Sequence, residues 1–228
     1  MKEEQKKERY MRQKDIVPAD RLAACRTTVI GVGAIGRQVA LQLTAMGISW
    51  LQLVDFDTVD ASNLASQGYL EADFERPKVE ATAQMCKQIN TEVELHWLKE
   101  AFRRSMEIGN IVFCAVDRIQ TRRLVWEATH DKVLFFTDGR MSAEVLRIIT
   151  AYDSGSRKYY PATLFHSNEA FEGSCTAKTT IYCANIAAGM MIAQFTKYLR
   201  QLPIDYDIQL NLLANELALT PACESAQG

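Results

Sequence analysis

The sequence predicts an α/β fold of Rossmann type, a mostly parallel sheet with helices on both faces and a late antiparallel extension. Three observations predict it. Short β-branched or apolar runs alternate with segments of helical period as far as Thr137. The first run ends in Gly31-Val32-Gly33-Ala34-Ile35-Gly36, a G-x-G-x-x-G turn at the start of a helix. Beyond Thr137 the alternation gives way to strand-like segments and one long apolar helix.

The elements follow in order. Residues 1–18 read as a charged N-terminal arm. Thr27-Thr28-Val29-Ile30 is a buried strand. Ile35, Val39, Leu43 and Met46 mark a helix from Ala34 to Met46, and Gly47 ends it. Leu51–Val54 is the next strand. Residues 58–77 are polar and read as a long ordered loop, a length that tends to carry function. A helix over Pro77–Asn90, a strand over Val93–Leu98, a strand over Ile111–Val116, a helix over Gln120–His130 and a strand over Val133–Thr137 continue the pattern. Glu144–Tyr152 and Tyr159–Leu164 look like antiparallel strands or loops. Residues 179–200 form a long apolar helix, Ile208–Leu219 a late strand and 220–228 a loose tail.

Composition narrows the function classes. The chain has 228 residues, of which 48% are hydrophobic and 24% charged, and the whole of 1–228 reads as one domain. A net charge of −2 argues against a nucleic-acid partner, which would call for a basic excess. No apolar run reaches the roughly 18 residues that span a membrane, and the arm has no apolar h-region. The expectation is a cytoplasmic protein whose six cysteines are reduced thiols. None of them forms a CxxC pair, so no structural zinc is expected.

The glycine turn gives the first chemistry. Its glycines let backbone approach phosphate, and the helix that follows presents unpaired N–H groups and the positive end of its dipole. Gly31, Gly33, Ala34 and Gly36 are therefore candidate nucleotide contacts. Asp55, at the end of the next strand, suits a ribose hydroxyl. Asp57 and Asn63 follow it in Asp55-Phe56-Asp57-Thr58-Val59-Asp60-Ala61-Ser62-Asn63-Leu64. Lys78 places a cation at a helix start, and Asp117 directly follows an apolar strand. Ligands of open sheets bind at the carboxyl ends of the strands, where Asp55, Asp57 and Asp117 all fall. A carboxylate there can hold Mg²⁺.

These motifs resemble the ThiF/MoeB and ubiquitin-activating superfamily of adenylating enzymes. The similarity runs over RYMRQ (Arg9–Gln13), GVGAIG, DFDTVDASNL, RPKVEA (Arg76–Ala81) and CAVD (Cys114–Asp117), from about Arg9 to Arg200. It implies an enzyme that uses ATP and Mg²⁺ to adenylate the C-terminal carboxylate of a ubiquitin-like or sulfur-carrier protein ending in glycine. It also implies that Asp55 binds ribose, that Asn63 and Lys78 contact phosphates, with Gln67 beside them, and that Asp117 positions metal and ATP. Arg12 resembles an arginine that reaches a neighbouring subunit's site, which implies a homodimer. Two departures stand out. The family pattern S-N-L-x-R-Q here reads Ser62-Asn63-Leu64-Ala65-Ser66-Gln67, so Ser66 replaces an arginine aimed at phosphate. Either Arg37 compensates or the site is weakened. Arg118 stands where the family often has asparagine.

Cys25, Cys86, Cys114 and Cys183 read as small buried hydrophobes. Cys175 lies in the polar stretch Phe171–Thr180 ahead of the long helix, with Lys178 close by, a setting that favours the thiolate. The stretch resembles the cysteine loop of the compact activating enzyme for the ubiquitin-fold modifier, which implies a thioester on Cys175 and then a conjugating enzyme as partner. Arg140 suits either the partner's tail or a plain turn. Adenylation alone for a sulfur carrier, a non-catalytic partner subunit and a nicotinamide oxidoreductase are the alternatives.

Overall fold

The computed structural model describes Gln5, residues 8–164 and residues 179–220. Eight strands make one sheet in the order β3-β2-β1-β4-β5-β6-β7-β8. They are β1 Arg26–Ile30, β2 Trp50–Val54, β3 Glu94–Leu98, β4 Ile111–Cys114, β5 Phe135–Ser142, β6 Val145–Ala151, β7 Asp207–Asn211 and β8 Glu216–Thr220. β1 to β5 pair in parallel, and β6 to β8 extend the sheet antiparallel from β5.

Burial follows from pattern. β1, β2 and β4 are buried on both sides along almost their whole length because both sheet faces are covered there. On one face Val29, Leu51, Leu53 and Phe113 pack under Val39 and Leu43 of the Ala34–Met46 helix, Val79 and Ala83 of the Lys78–Ile89 helix, and Met191 and Phe195 of the Ile181–Arg200 helix. On the other, Ile30, Val112 and Phe136 pack with Val125 and Trp126 of the Ile119–Thr129 helix and with Tyr160. The predicted helices on both faces and the antiparallel extension are both present.

Four local expectations need correction. The 58–77 segment contains a helix, Ala61–Gln67, which Asp60 caps by accepting from the Ser62 and Asn63 amides. Tyr159–Leu164 is no strand. A helix over Ser154–Tyr159 starts at an Asp153–Ser156 capping box and runs into a 3₁₀ turn over Tyr160–Thr163. The late strand is a hairpin, because Asn211 Oδ1 accepts from the Leu213 and Ala214 amides and Asn215 takes a left-handed φ of 55°. Thr220, first residue of the expected tail, closes β8; 221–228 lie outside the described residues.

Candidate functional site

The glycine turn is built so that two glycines hold it and one leaves it open. A Cβ on Gly31 would lie 2.7 Å from the Ala115 carbonyl oxygen, and Gly31 has a φ of +85°. A Cβ on Gly36 would lie 1.8 Å from the Gly31 carbonyl oxygen. These positions admit no side chain. A Cβ on Gly33 would meet nothing nearer than Gln67 Oε1, at 3.8 Å. Gly33 and Ala34 therefore give a ligand access to the amides that open the Ala34–Met46 helix.

Asp55 fixes the turn from β2. Its Oδ2 accepts from the Val32 amide at 2.6 Å and its Oδ1 from the Asp57 amide at 2.8 Å. Each oxygen keeps a lone pair for a sugar hydroxyl. Burial pushes the Asp55 carboxyl above its ordinary range, against the pull of the two amides. Tyr69 holds the turn from below, its hydroxyl donating to the Val32 carbonyl at 2.6 Å.

The 58–77 excursion is closed at its base. Thr58 bridges Pro77, the Val59 amide donates to Arg76 O, and the Lys78 amide donates to Asp57 O at 3.0 Å. This closure puts the buried Lys78 side chain on Asp57, with Nζ 3.0 Å from Oδ2. Asp55, Asp57 and Lys78, distant in sequence, thus share the carboxyl edge beside the glycine turn.

The remaining predicted residues divide. Asn63 is buried, and its Oδ1 accepts from the Asp60 amide as part of the helix cap. Gln67 Oε1 is buried and has no hydrogen-bond partner among the described residues. Asp117 follows β4 and is exposed; it lies in the field of the Arg122 guanidinium. The Ala115 amide, just past β4, donates to Ile30 O at 2.8 Å where β1 enters the glycine turn, so Asp117 belongs to the same edge.

Arg12 does not. It sits in the 3₁₀ turn Met11–Gln13, exposed, where Gln13 Nε2 donates to Met46 O and Tyr10 packs on Gly47. Met46 is the far end of the helix that begins at the glycine turn, about 20 Å away at 1.5 Å per residue. Arg12 thus takes no part in the site of its own chain.

Arg37 does not compensate for Ser66. Its guanidinium is buried over the Tyr69 ring, with Nε donating to Gly68 O and Nη1 to Thr82 Oγ1. Ser66 itself turns back on its helix, its Oγ donating to Ser62 O at 2.9 Å. Arg140 is equally committed. Nε donates to Asp138 Oδ2, Nη1 to Thr163 O and Nη2 to Thr163 Oγ1. Arg122 pairs with the same buried Asp138, and the Tyr160 hydroxyl donates to it at 2.9 Å. This brace was not read from the sequence. Its signal is an acid inside an apolar strand run, since a buried charge demands partners.

Cys25, Cys86, Cys114 and Cys183 are buried, as expected. Burial pushes their thiols up, Cys25 to about 11, which disfavours the thiolate. Cys175 and Lys178 lie outside the described residues, as does Cys223. Among the described residues no group of three or more His, Cys, Asp or Glu side chains could hold a metal ion, and no helix is long and apolar enough to cross a membrane.

A glycine turn clamped by a ribose-type acid, with a lysine and a second acid on one sheet edge, defines a nucleotide-binding Rossmann-type site. Residues 9–222 match the ThiF family, and the chain belongs to that family. It is 36% identical over 132 residues to the adenylyltransferase and sulfurtransferase MOCS3 of Dictyostelium discoideum, a match covering 53% of this chain and 31% of that one. It is 28% identical over 136 residues to the NEDD8-activating enzyme E1 catalytic subunit of Caenorhabditis elegans, covering 58% and 31%. The chain therefore spans about a third of the length of these relatives. The crystal structure of PaaA has the same fold at a TM-score of 0.76 and 20% identity, covering 95% of this chain and 83% of that one.

Proposed function

We propose that the chain is an ATP-dependent adenylyltransferase acting on the C-terminal carboxylate of a ubiquitin-like or sulfur-carrier protein that ends in glycine. The observation that carries this is the joining of Asp55, Lys78 and Asp117 to an open glycine turn on one edge. A nicotinamide enzyme has no use for Lys78 and Asp117 in those places. Membership of the ThiF family and similarity to a named adenylyltransferase support the same reading.

In this account Asp55 holds the ribose through the free lone pairs of its carboxylate. The amides of Gly33 and Ala34 and the Lys78 ammonium take up phosphate charge, and Asp57 keeps Lys78 in place. Asn63 and Gln67 line the phosphates. The buried, unpartnered Gln67 Oε1 beside Gly33 fits a residue whose amide has a ligand to meet. Asp117, as a single carboxylate, fits Mg²⁺, which is ordinarily shared between one or two carboxylates and the substrate phosphates; the ion supplies charge neutralisation when bound. The partner's carboxylate oxygen attacks the α-phosphorus, the bond to the β-phosphate oxygen breaks, and pyrophosphate leaves. Holding the two reactants in line is the protein's main contribution.

A second step falls to Cys175. Its thiolate attacks the acyl carbon of the adenylate, the bond to AMP breaks, and the partner is held as a thioester for transfer to a conjugating enzyme. The Cys175→Ala variant keeps ATP–pyrophosphate exchange and loses a thiol-sensitive adduct; an adduct that survives overturns the assignment. The enzyme works in the cytoplasm as a homodimer in which Arg12 serves the partner's site, in line with its distance from its own glycine turn. Mixing Arg12→Ala with Lys78→Ala protein then restores exchange through hybrid dimers with one intact site, and mixtures as inactive as each variant alone contradict it.

The test of the main reading is ATP–pyrophosphate exchange with small β-grasp proteins ending in Gly-Gly. Exchange that depends on a free terminal carboxylate is expected. Tight NAD binding without ATP binding would overturn it.

A further inference from the structure

Among the described residues, the carboxyl edge is short of free positive charge. It carries Asp55, Asp57, Asp60 and Asp117, and Lys78 is held by Asp57. Arg37 is turned into the core, Arg122 and Arg140 are spent on Asp138, and Ser66 carries no charge. Beside the Arg12 proposed to come from the partner, a triphosphate entering this edge has use for a further cation of its own chain.

The strand order says where. The ribose acid ends β2, the glycine turn ends β1, and Asp117-Arg118 follow β4. β1 lies between β2 and β4, so a nucleotide anchored at Asp55 runs its phosphates across the glycine turn toward β4. Arg118 is the residue before the Ile119–Thr129 helix, with extended backbone and no side-chain capping bond. It is exposed, and among the described residues its guanidinium has no hydrogen bond or ion pair. Lys99, also exposed, follows β3 and stands beyond the ribose acid, on the base side.

We infer that Arg118 binds the β- and γ-phosphates of ATP and supplies the charge that Ser66 does not. The two departures from the family pattern, serine for arginine at 66 and arginine for asparagine at 118, are then one relocation of a cation from the Ala61–Gln67 helix to the end of β4. A guanidinium there offers a fork of donors to phosphate oxygens. The inference rests on the adenylyltransferase reading and adds to it a role for Arg118.

Calorimetric titration of the full chain with ATP and, separately, with AMP tests it. Arg118→Asn should weaken ATP binding by about tenfold, the usual worth of a charged hydrogen bond, and leave AMP binding unchanged. Adding Ser66→Arg to Arg118→Asn should recover ATP affinity. A variant that binds ATP like the wild type overturns the inference alone. Equal loss of ATP and AMP also overturns it, since that marks a structural role. A wild-type chain that binds neither nucleotide overturns the adenylyltransferase reading together with the inference.

Discussion

Two clusters of Asp, Arg and Lys lie along one sheet and do opposite work. In the brace of Asp138, Arg122, Arg140 and Tyr160, Asp138 is fully buried and all three Arg140 nitrogens are bound within the protein. Beside the glycine turn, Asp117 and Arg118 are exposed, Gln67 Oε1 has no partner among the described residues, and Asp55 keeps lone pairs to spare. Charges turned inward and paired with one another brace the fold. An exposed acid and cation, beside a backbone locked by Gly31 and Gly36, face outward at the candidate site.

The comparison breaks first in stability. Asp138→Ala leaves the buried Arg122 and the partly buried Arg140 guanidinium groups without their carboxylate and should cost about 3–5 kcal/mol, measured by urea unfolding. A loss comparable to an exposed substitution would mean that the brace is not structural. Lys78→Ala should fold and yet lower ATP–pyrophosphate exchange by about 100-fold or more, as for a lost charge-stabilising donor. An enzyme that keeps its exchange would place Lys78 outside the site.

Glycine sharpens the contrast within the turn itself. Gly33→Ala meets no backbone and should keep its melting temperature while losing ATP affinity by about tenfold or more, since the methyl stands where phosphate approaches. Gly36→Ala should lose both, because its methyl overlaps the Gly31 carbonyl. Equal behaviour of the two variants would undo the distinction.

The smallest effect is in pH dependence. An acid raised by burial contributes stability at low pH that is lost as the pH rises through its folded pKa. Relative to Asp55→Asn, the wild type should therefore lose unfolding free energy as the pH climbs from about 4 through the raised value. Parallel profiles for the two proteins would show that burial does not strain Asp55.

The parallel half of the fold was legible because each element carries its own pattern. Thr27–Ile30 is apolar or β-branched, and Ile35, Val39 and Leu43 keep helical spacing. At 58–77 Asp60, Ser62 and Asn63 have loop composition, yet their polar side chains cap a helix. The capping box of Asp153 and Ser156 hides the start of the Ser154–Tyr159 helix in the same way. Polar residues that bond to their own backbone look like loop until the cap is recognised. The placement of Asp55, Lys78 and the glycines on one sheet edge was legible from residue type and position, since each falls at the end of a strand or the start of a helix. The burial of Arg37 was not, since its partners Tyr69 and Thr82 are far along the chain and carry no local signal.

On the proposed function, the open edge activates a carboxylate with ATP. The most direct measurement follows pyrophosphate release when the chain is given ATP and a β-grasp protein ending in Gly-Gly, either free or amidated at its C-terminus. Release that requires the free carboxylate, and a matching acyl-adenylate, is the predicted result. ATP turnover that ignores the carboxylate, or none with any such protein, would contradict it.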